Sequence, residues 1–111
     1  MTRTLAIAAA GLLALHSAPA KAETMEFICG NVAAVVKEIQ QARLNRVPER
    51  KVQETILNSD PAWPDRFDNA IVHMTPWVYE QKMRDVRSKD LGAAFYEVCG
   101  LNWESIAHNY Q

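Results

Sequence analysis

Residues 26–46 read EFICGNVAAVVKEIQQARLNR, and this stretch decides the fold. Its apolar residues recur at helical spacing, and at about 100° per residue they form one stripe. The stripe consists of Ile28, Val32, Val35, Val36, Ile39 and Ala42. Cys29 lies at its edge, one turn from the start. The spacing predicts a first helix that ends near Leu44 or Asn45 and buries one face in the core.

The first 22 residues have the pattern of a cleaved signal peptide. Arg3 supplies a positive charge, residues 5–15 form an apolar run, and Ala20 and Ala22 suit the −3 and −1 positions of a cleavage site. Cleavage directly after Ala20 is the alternative. The apolar run is shorter than the roughly 20 residues that a membrane-spanning helix needs. We therefore expect export, with a periplasmic or secreted location.

The expected mature domain, residues 23–111, is large enough for one small hydrophobic core. It carries ten lysines and arginines against 13 carboxylates, a net charge of −3, because Arg3 and Lys21 leave with the leader. This charge does not favour nucleic acid, which requires a strongly basic surface. The longest apolar run of the domain is residues 32–36. We therefore expect no membrane insertion after cleavage.

The chain contains two cysteines, Cys29 on the first helix and Cys99 near the far end. An even number of cysteines in a small exported chain favours a disulfide. A catalytic or redox thiol is the disfavoured alternative, since no CxxC spacing is present. Closing a loop of about 70 residues removes roughly 4 kcal/mol of denatured-state entropy in the chain-entropy model. The two cysteines therefore predict a structural bridge between the first and the last main helix.

Prolines divide the chain after the first helix. Pro48 suits the first position of a short second helix, which would bury Val52 and Ile56. Residues 58–64, NSDPAWP, predict a loop because each proline forces an extended or turn conformation on the residue before it. Trp63 is the large apolar residue of this loop. The favoured interpretation is a lid that folds back on the core, and the alternative is an exposed binding anchor.

A third helical pattern begins after this loop and runs through a proline. Its apolar residues are Phe67, Ile71, Met74 and Val78. Pro76 cannot donate a backbone hydrogen bond, so two interpretations remain. The helix either continues with a kink or close break at Pro76, or it stops and restarts with Thr75 as its N-cap.

Residues 81–87 are polar and are expected to form the end of the third helix and a turn before the last main helix. Ser88 is predicted to cap this helix, with Asp90 in its first turn. Its predicted buried stripe consists of Leu91, Ala94, Phe95 and Val98, with Cys99 at the edge. Gly100 fits the left-handed position that closes a helix, and the tail can form one more turn. No segment alternates with period two, so we predict an all-α bundle of four to five helices whose first and last members are joined by the disulfide.

The sequence contains no recognisable catalytic or metal-binding motif. His73 and His108 belong to neither an HExxH motif nor a Cys/His cluster. Gly-rich phosphate loops are absent, and the carboxylates fall in no acid–base motif. A small helical domain also has little room for a deep cleft. We therefore expect no enzyme, no metal and no cofactor.

The candidate partner contacts form a basic cluster and an aromatic group. The cluster spans the end of the first helix and the start of the second, and contains Arg43, Arg46, Arg50 and Lys51. It is either a solvated corner, balanced by Glu49 and Glu54, or a contact for an acidic partner. The aromatic group contains Trp63, Trp77 and Tyr79. A place at the core margin is the simpler account of Trp77 and Tyr79, and a contact patch is the alternative.

Four features of the chain together resemble a known group of proteins. They are a short leader, a cysteine that opens the first helix, QQARLNRVPE at residues 40–49 and AAFYEVCG at residues 93–100. The group consists of small uncharacterised exported helical proteins of Gram-negative bacteria with one disulfide. They often hold glycine at the turn near Arg46. The group has no assigned activity, so the resemblance implies no functional residue. Size and the single bridge are also similar to those of periplasmic acid-stress chaperones, although the cysteine separation here is much wider.

These observations favour a non-catalytic periplasmic module that binds another envelope protein. Inhibition of a cell-wall hydrolase and a phage-related exclusion factor are specific versions of this hypothesis. The first alternative is an acid-stress chaperone, whose fold would open when carboxylates that are paired in the folded state become protonated. A small envelope enzyme is the second alternative.

Overall fold

The computed structural model describes residues 24–108, and every regular element in this range is helical. The predicted leader and its cleavage site lie outside the described residues. The all-α prediction is confirmed. Six α-helices are present in the described range because two short ones, α4 and α6, accompany the longer four. The elements are α1 (Met25–Leu44), a 3-10 turn (Glu49–Lys51), α2 (Val52–Asn58), a second 3-10 turn (Asp65–Phe67), α3 (Asn69–Glu80), α4 (Met83–Ser88), α5 (Leu91–Leu101) and α6 (Trp103–Ala107).

Helix α1 is the central element of the fold and packs against both α3 and α5. It begins at an N-cap, because the hydroxyl oxygen of Thr24 accepts a hydrogen bond from the amide of Phe27 at 3.1 Å. All six residues of the predicted stripe are buried. The helix ends at Leu44, as the sequence predicts.

A Schellman motif closes α1. The amide of Val47 donates to the carbonyl of Ala42, and the amide of Arg46 donates to the carbonyl of Arg43, both at 2.9 Å. Arg46 has a φ of 63°, the left-handed conformation that glycine adopts most readily. The turn therefore keeps the geometry typical of glycine with an arginine in place.

Helix α3 runs through Pro76 without a break. The interpretation in which the helix restarts with Thr75 as N-cap is therefore wrong. Thr75 is buried inside the helix, and its hydroxyl donates to the carbonyl of Ile71 one turn earlier. Burial of Ile71 and Val78 on either side of the proline explains the continuity, because one apolar face holds both halves of the helix against the core.

The predicted helix end and turn at residues 81–87 holds only for residues 81–82, because residues 83–87 belong to α4. Val86 is buried in the core and provides the packing that this short helix needs. Ser88 ends α4, and its hydroxyl donates to the carbonyl of Arg84. The N-cap of α5 is instead Asp90, whose Oδ1 accepts a hydrogen bond from the amide of Ala93 at 2.9 Å.

The predicted buried face of α5 is rotated relative to the observed one. Ala94 and Val98 are exposed, whereas Leu91, Gly92 and Cys99 are buried. The reason is a close approach to α1: a Cβ at Gly92 would lie 2.9 Å from the backbone oxygen of Ala33. Gly100 does not close α5 in a left-handed conformation, since no described glycine has a positive φ. The helix continues to Leu101 and ends at Asn102.

The disulfide prediction is confirmed. Cys29 of α1 and Cys99 of α5, the last main helix, are bonded with a Cα–Cα distance of 5.8 Å. Both cysteines are buried. The bridge closes a loop with a sequence separation of 70. It therefore holds α5 against α1 near the C-terminal end of α5, while the approach at Gly92 holds the other end.

Candidate functional site

Trp63, one of the predicted contact residues, is folded onto the core. Its side chain is 7% exposed, as the lid interpretation predicts. The indole Nε1 donates a hydrogen bond to Oδ1 of Asp68 at 2.8 Å. This bond satisfies the polar end of the ring within the fold. The ring therefore offers no exposed anchor in this conformation.

Arg43, from the basic cluster, has an internal role. Its Nη1 donates to the carbonyls of Val78 and Gln81, at 2.5 and 2.6 Å. These carbonyls lie at the C-terminal end of α3, where the helix leaves acceptors unpaired and a cation interacts favourably with the dipole. The guanidinium also lies over the ring of Tyr79, 5.5 Å from its centroid. Arg43 thus fastens the end of α3 to α1.

Tyr79 completes this junction. Its hydroxyl donates to the carbonyl of Val47, which follows the Schellman turn. Burial raises the pKa of the Tyr79 phenol above its ordinary value of 10.0, Arg43 lowers the pKa, and Glu49 raises it. The phenol therefore stays protonated and keeps donating at neutral pH.

The remaining predicted contacts do not join these residues in one exposed patch. Trp77 is half-buried and packed against the core. Arg46 and Arg50 are exposed. The structure therefore separates the predicted group into internal contacts at Trp63, Arg43 and Tyr79, a core-margin residue at Trp77, and two exposed arginines.

Gln40 is a structural residue that sequence reasoning missed. Its side chain is buried, and its Nε2 donates to the carbonyls of Val86 at 2.8 Å and Lys89 at 2.7 Å. Its Oε1 accepts from the amide of Leu91 at 3.1 Å. One amide side chain thus joins the end of α4 to the start of α5. The sequence signal for its burial is its position four residues after Val36, beside the apolar stripe.

The most exposed apolar surface of the described residues lies on α5. Ala94, Val98 and Leu101 recur at helical spacing and share one side of the helix. Val98 is 54% exposed and Leu101 is 80% exposed. We call these three residues the α5 outer face. It contains two of the residues that the sequence predicts to be buried or at the buried edge, Ala94 and Val98.

A groove of about 420 Å³ adjoins the α5 outer face at its C-terminal end. Leu101 belongs to both surfaces. Trp103 lines the groove and packs its half-buried ring against the core. The other lining residues are Met25, Gly100, Asn102, Glu104 and Ser105. The groove therefore mixes polar and apolar side chains and lies between the end of α5, the start of α1 and α6.

Two other grooves flank α1, and both present more apolar than polar surface. One, of about 580 Å³, lies between α1 and the loop that carries Trp63. Polar and apolar side chains line it together: Asn31, Lys37, Glu38, Ser59, Ala34, Pro61, Ala62 and Trp63. The other, of about 320 Å³, lies where α1 and α5 approach each other at Gly92. Neither has an apolar side chain as exposed as Leu101.

Comparisons with protein-family models, curated proteins and solved structures found no match. Within residues 24–108, no cluster of three or more histidine, cysteine, aspartate or glutamate side chains is arranged to hold a metal ion. The helices of this same range are all too short or too polar to cross a membrane. The surface of residues 24–108 is therefore the feature that bears on function.

Proposed function

We propose that this chain is a non-catalytic protein-binding module of the bacterial envelope, and that it binds its partner through the α5 outer face. The observation that carries the proposal is the exposure of Val98 and Leu101, at 54% and 80%, on one side of a core helix. Large apolar side chains grouped on a surface and bordered by polar residues are typical of protein-interaction sites.

The rigidity of α5 supports a binding role for this face. Cys99 follows Val98 directly and is bonded to Cys29 of α1. At the other end of α5, the amide of Leu91 is held by Gln40. A preorganised helix loses little conformational entropy on association, so apolar burial contributes more fully to affinity. The disulfide thus supports the interaction without touching the partner.

The envelope location rests on the signal-peptide pattern and on the disulfide. Structural disulfides persist in oxidising compartments such as the periplasm and the extracellular space. Cys29 and Cys99, the chain's only two cysteines, are both in the bridge. A partner in the same compartment is therefore the consistent choice.

The test is affinity capture from an envelope extract with three forms of the exported protein. They are the wild type, the double variant Val98→Ser and Leu101→Ser, and the control Val72→Ser, which alters a half-exposed valine on α3. We expect the wild type and the control to retain the same protein and the double variant to lose it. Retention of the same protein by all three forms would remove the α5 outer face from the interaction.

The acid-stress chaperone hypothesis requires the fold to open at low pH. The α1 stripe is buried from Ile28 to Ala42, so clients reach it only if the fold opens. Light scattering of an aggregating client protein at low pH measures that activity. Suppression of aggregation by the double variant as well as the wild type would favour the chaperone over the binding module.

A further inference from the structure

Three carboxylates lie along the α5 outer face. Glu97 is three residues after Ala94 and four before Leu101, so it neighbours both on the helix surface. Asp90 caps the helix seven residues before Glu97, and Glu104 lies in the first turn of α6 beside the groove that Leu101 lines. All three side chains are exposed. The apolar face therefore has an acidic flank.

Glu97 and Glu104 have no compensating cation within residues 90–108, whereas Lys37 of α1 lies beside Asp90 in the groove at Gly92. Residues 90–108 contain the three carboxylates and no lysine or arginine. The ion pairs within residues 24–108 involve other carboxylates, and Lys89, next to Asp90 in the chain, pairs with Asp85 at 3.5 Å. One oxygen of Asp90 accepts the capping hydrogen bond. The charges of Glu97 and Glu104 thus remain directed at solvent, where an approaching partner meets them.

We propose that the partner presents an amphipathic helix whose apolar stripe is flanked by lysine or arginine. This inference rests on the proposed function and specifies the chemistry of its ligand. Complementary charge around an apolar contact speeds encounter and selects among partners. The 11-residue α5 is about 16 Å long, which matches roughly three turns of a partner helix. Glu97 lies next to both Ala94 and Leu101 on the helix surface, so a cation beside the partner's apolar stripe would face it.

The same charges argue against a second copy of this chain on the face. Pairing two α5 helices through their outer faces would bring Glu97 and Glu104 near the same carboxylates of the other copy. Like charges brought together at an interface oppose association. The acidic flank therefore favours a basic partner helix and disfavours self-association through this face.

The test uses two synthetic helical peptides with the same leucine stripe, one flanked by lysines and the other by glutamates. Binding to the exported, disulfide-bonded protein is measured by fluorescence anisotropy at low and at physiological salt. We expect the lysine peptide to bind at least about tenfold more tightly at low salt, the sum of several surface charge pairs. Salt should reduce this preference, because it screens exposed charges.

Three variants locate the interaction. Glu97→Gln with Glu104→Gln should remove most of the preference for the lysine peptide. Glu54→Gln with Glu80→Gln, which neutralises two exposed carboxylates on other helices, should retain it. Val98→Ser with Leu101→Ser should abolish binding. Loss of preference in both carboxylate variants alike would show attraction to overall charge only and would overturn the proposal.

The remaining outcomes separate this inference from the proposed function. Equal binding of both peptides, lost in the Val98→Ser and Leu101→Ser variant, would keep the face as a docking surface and overturn the basic helix. Absence of binding by the lysine peptide would also overturn the proposal of a basic partner helix. The proposed function is tested separately, by the capture experiment with the envelope extract. A dimer detected by analytical ultracentrifugation and lost in the same variant would place a second copy on the face.

Discussion

The side-chain oxygen of Gln40 accepts a hydrogen bond from the backbone amide of Leu91, 51 positions further along the chain. The amide nitrogen of the same side chain donates to two carbonyls at the end of α4. The bonds to the Val86 carbonyl and the Leu91 amide are buried, so loss of the Gln40 side chain would leave these two backbone groups without a partner. Gln40 of α1 therefore holds both the end of α4 and the start of α5.

Replacing Gln40 by leucine should therefore destabilise the fold by about 3 kcal/mol, because it leaves buried backbone groups without partners. The matched control is Gln41→Leu, which changes an exposed neighbour on the same helix and should alter stability by less than about 0.5 kcal/mol. Urea denaturation followed by circular dichroism measures both. Similar losses in the two variants would show that Gln40 does not join α4 to α5.

Gly30 of α1 and Gly92 of α5 should respond in opposite directions to replacement by alanine. Gly92→Ala places a Cβ 2.9 Å from the Ala33 backbone oxygen, so the helices must separate, at a cost of roughly 1–3 kcal/mol. Gly30→Ala meets nothing within 4 Å and should gain about 0.5–1 kcal/mol from reduced backbone freedom. Thermal melts of the two variants test the close approach of α1 and α5. A harmless Gly92→Ala would contradict it.

Arg46→Gly should stabilise the protein by about 1 kcal/mol, because a left-handed conformation costs an L-residue roughly that amount. Arg46→Ala is the control, since alanine keeps the Cβ that causes the cost and should give no comparable gain. Chemical denaturation distinguishes the two. Equal effects would assign any change to the loss of the guanidinium group.

Stability at high pH should depend on Tyr79. Burial raises the pKa of its phenol, so the folded state holds this proton more tightly than the unfolded chain. The contribution is fully present below the unfolded pKa of about 10 and is lost as the pH rises through the folded value. Tyr79→Phe also removes the hydrogen bond to Val47, which costs about 1 kcal/mol at neutral pH.

The free-energy difference between the wild type and Tyr79→Phe should therefore shrink as the pH rises above about 10. Denaturation curves at several pH values measure this difference. Tyr96→Phe, which changes an exposed tyrosine on α5, supplies the control. A pH-independent difference for Tyr79→Phe would place the phenol in solvent.

Removal of the disulfide by Cys29→Ser with Cys99→Ser should reduce stability by roughly 2–5 kcal/mol. Helical circular dichroism should persist at low temperature, because the buried α1 stripe remains. Partner affinity should recover when cooling restores the fold, since both sulfurs are buried. Loss of affinity in a folded double variant would give the bridge a direct part in recognition.

The sequence by itself determined the elements whose signals are local. The α1 stripe is long enough to identify, because six apolar residues recur at helical spacing over about four turns, and all six are buried. The end of α1, the proline-containing loop and the helix around Ile71 and Val78 follow from similarly local chemistry. The pairing of Cys29 with Cys99 follows because two cysteines allow one bridge.

Only the tertiary structure decided which side of α5 faces the core and which residues join the helices. Apolar residues occur on nearly every side of α5, so their spacing does not indicate which side of the helix is buried. The rotation is set at Gly92 and Cys99 by close contact with α1, and this rotation exposes Val98. Gln40 and Arg43 likewise bond to backbone atoms far away in sequence, which local patterns do not specify. The α5 outer face is therefore a consequence of packing, because the position of the α1 backbone determines which side of α5 is exposed.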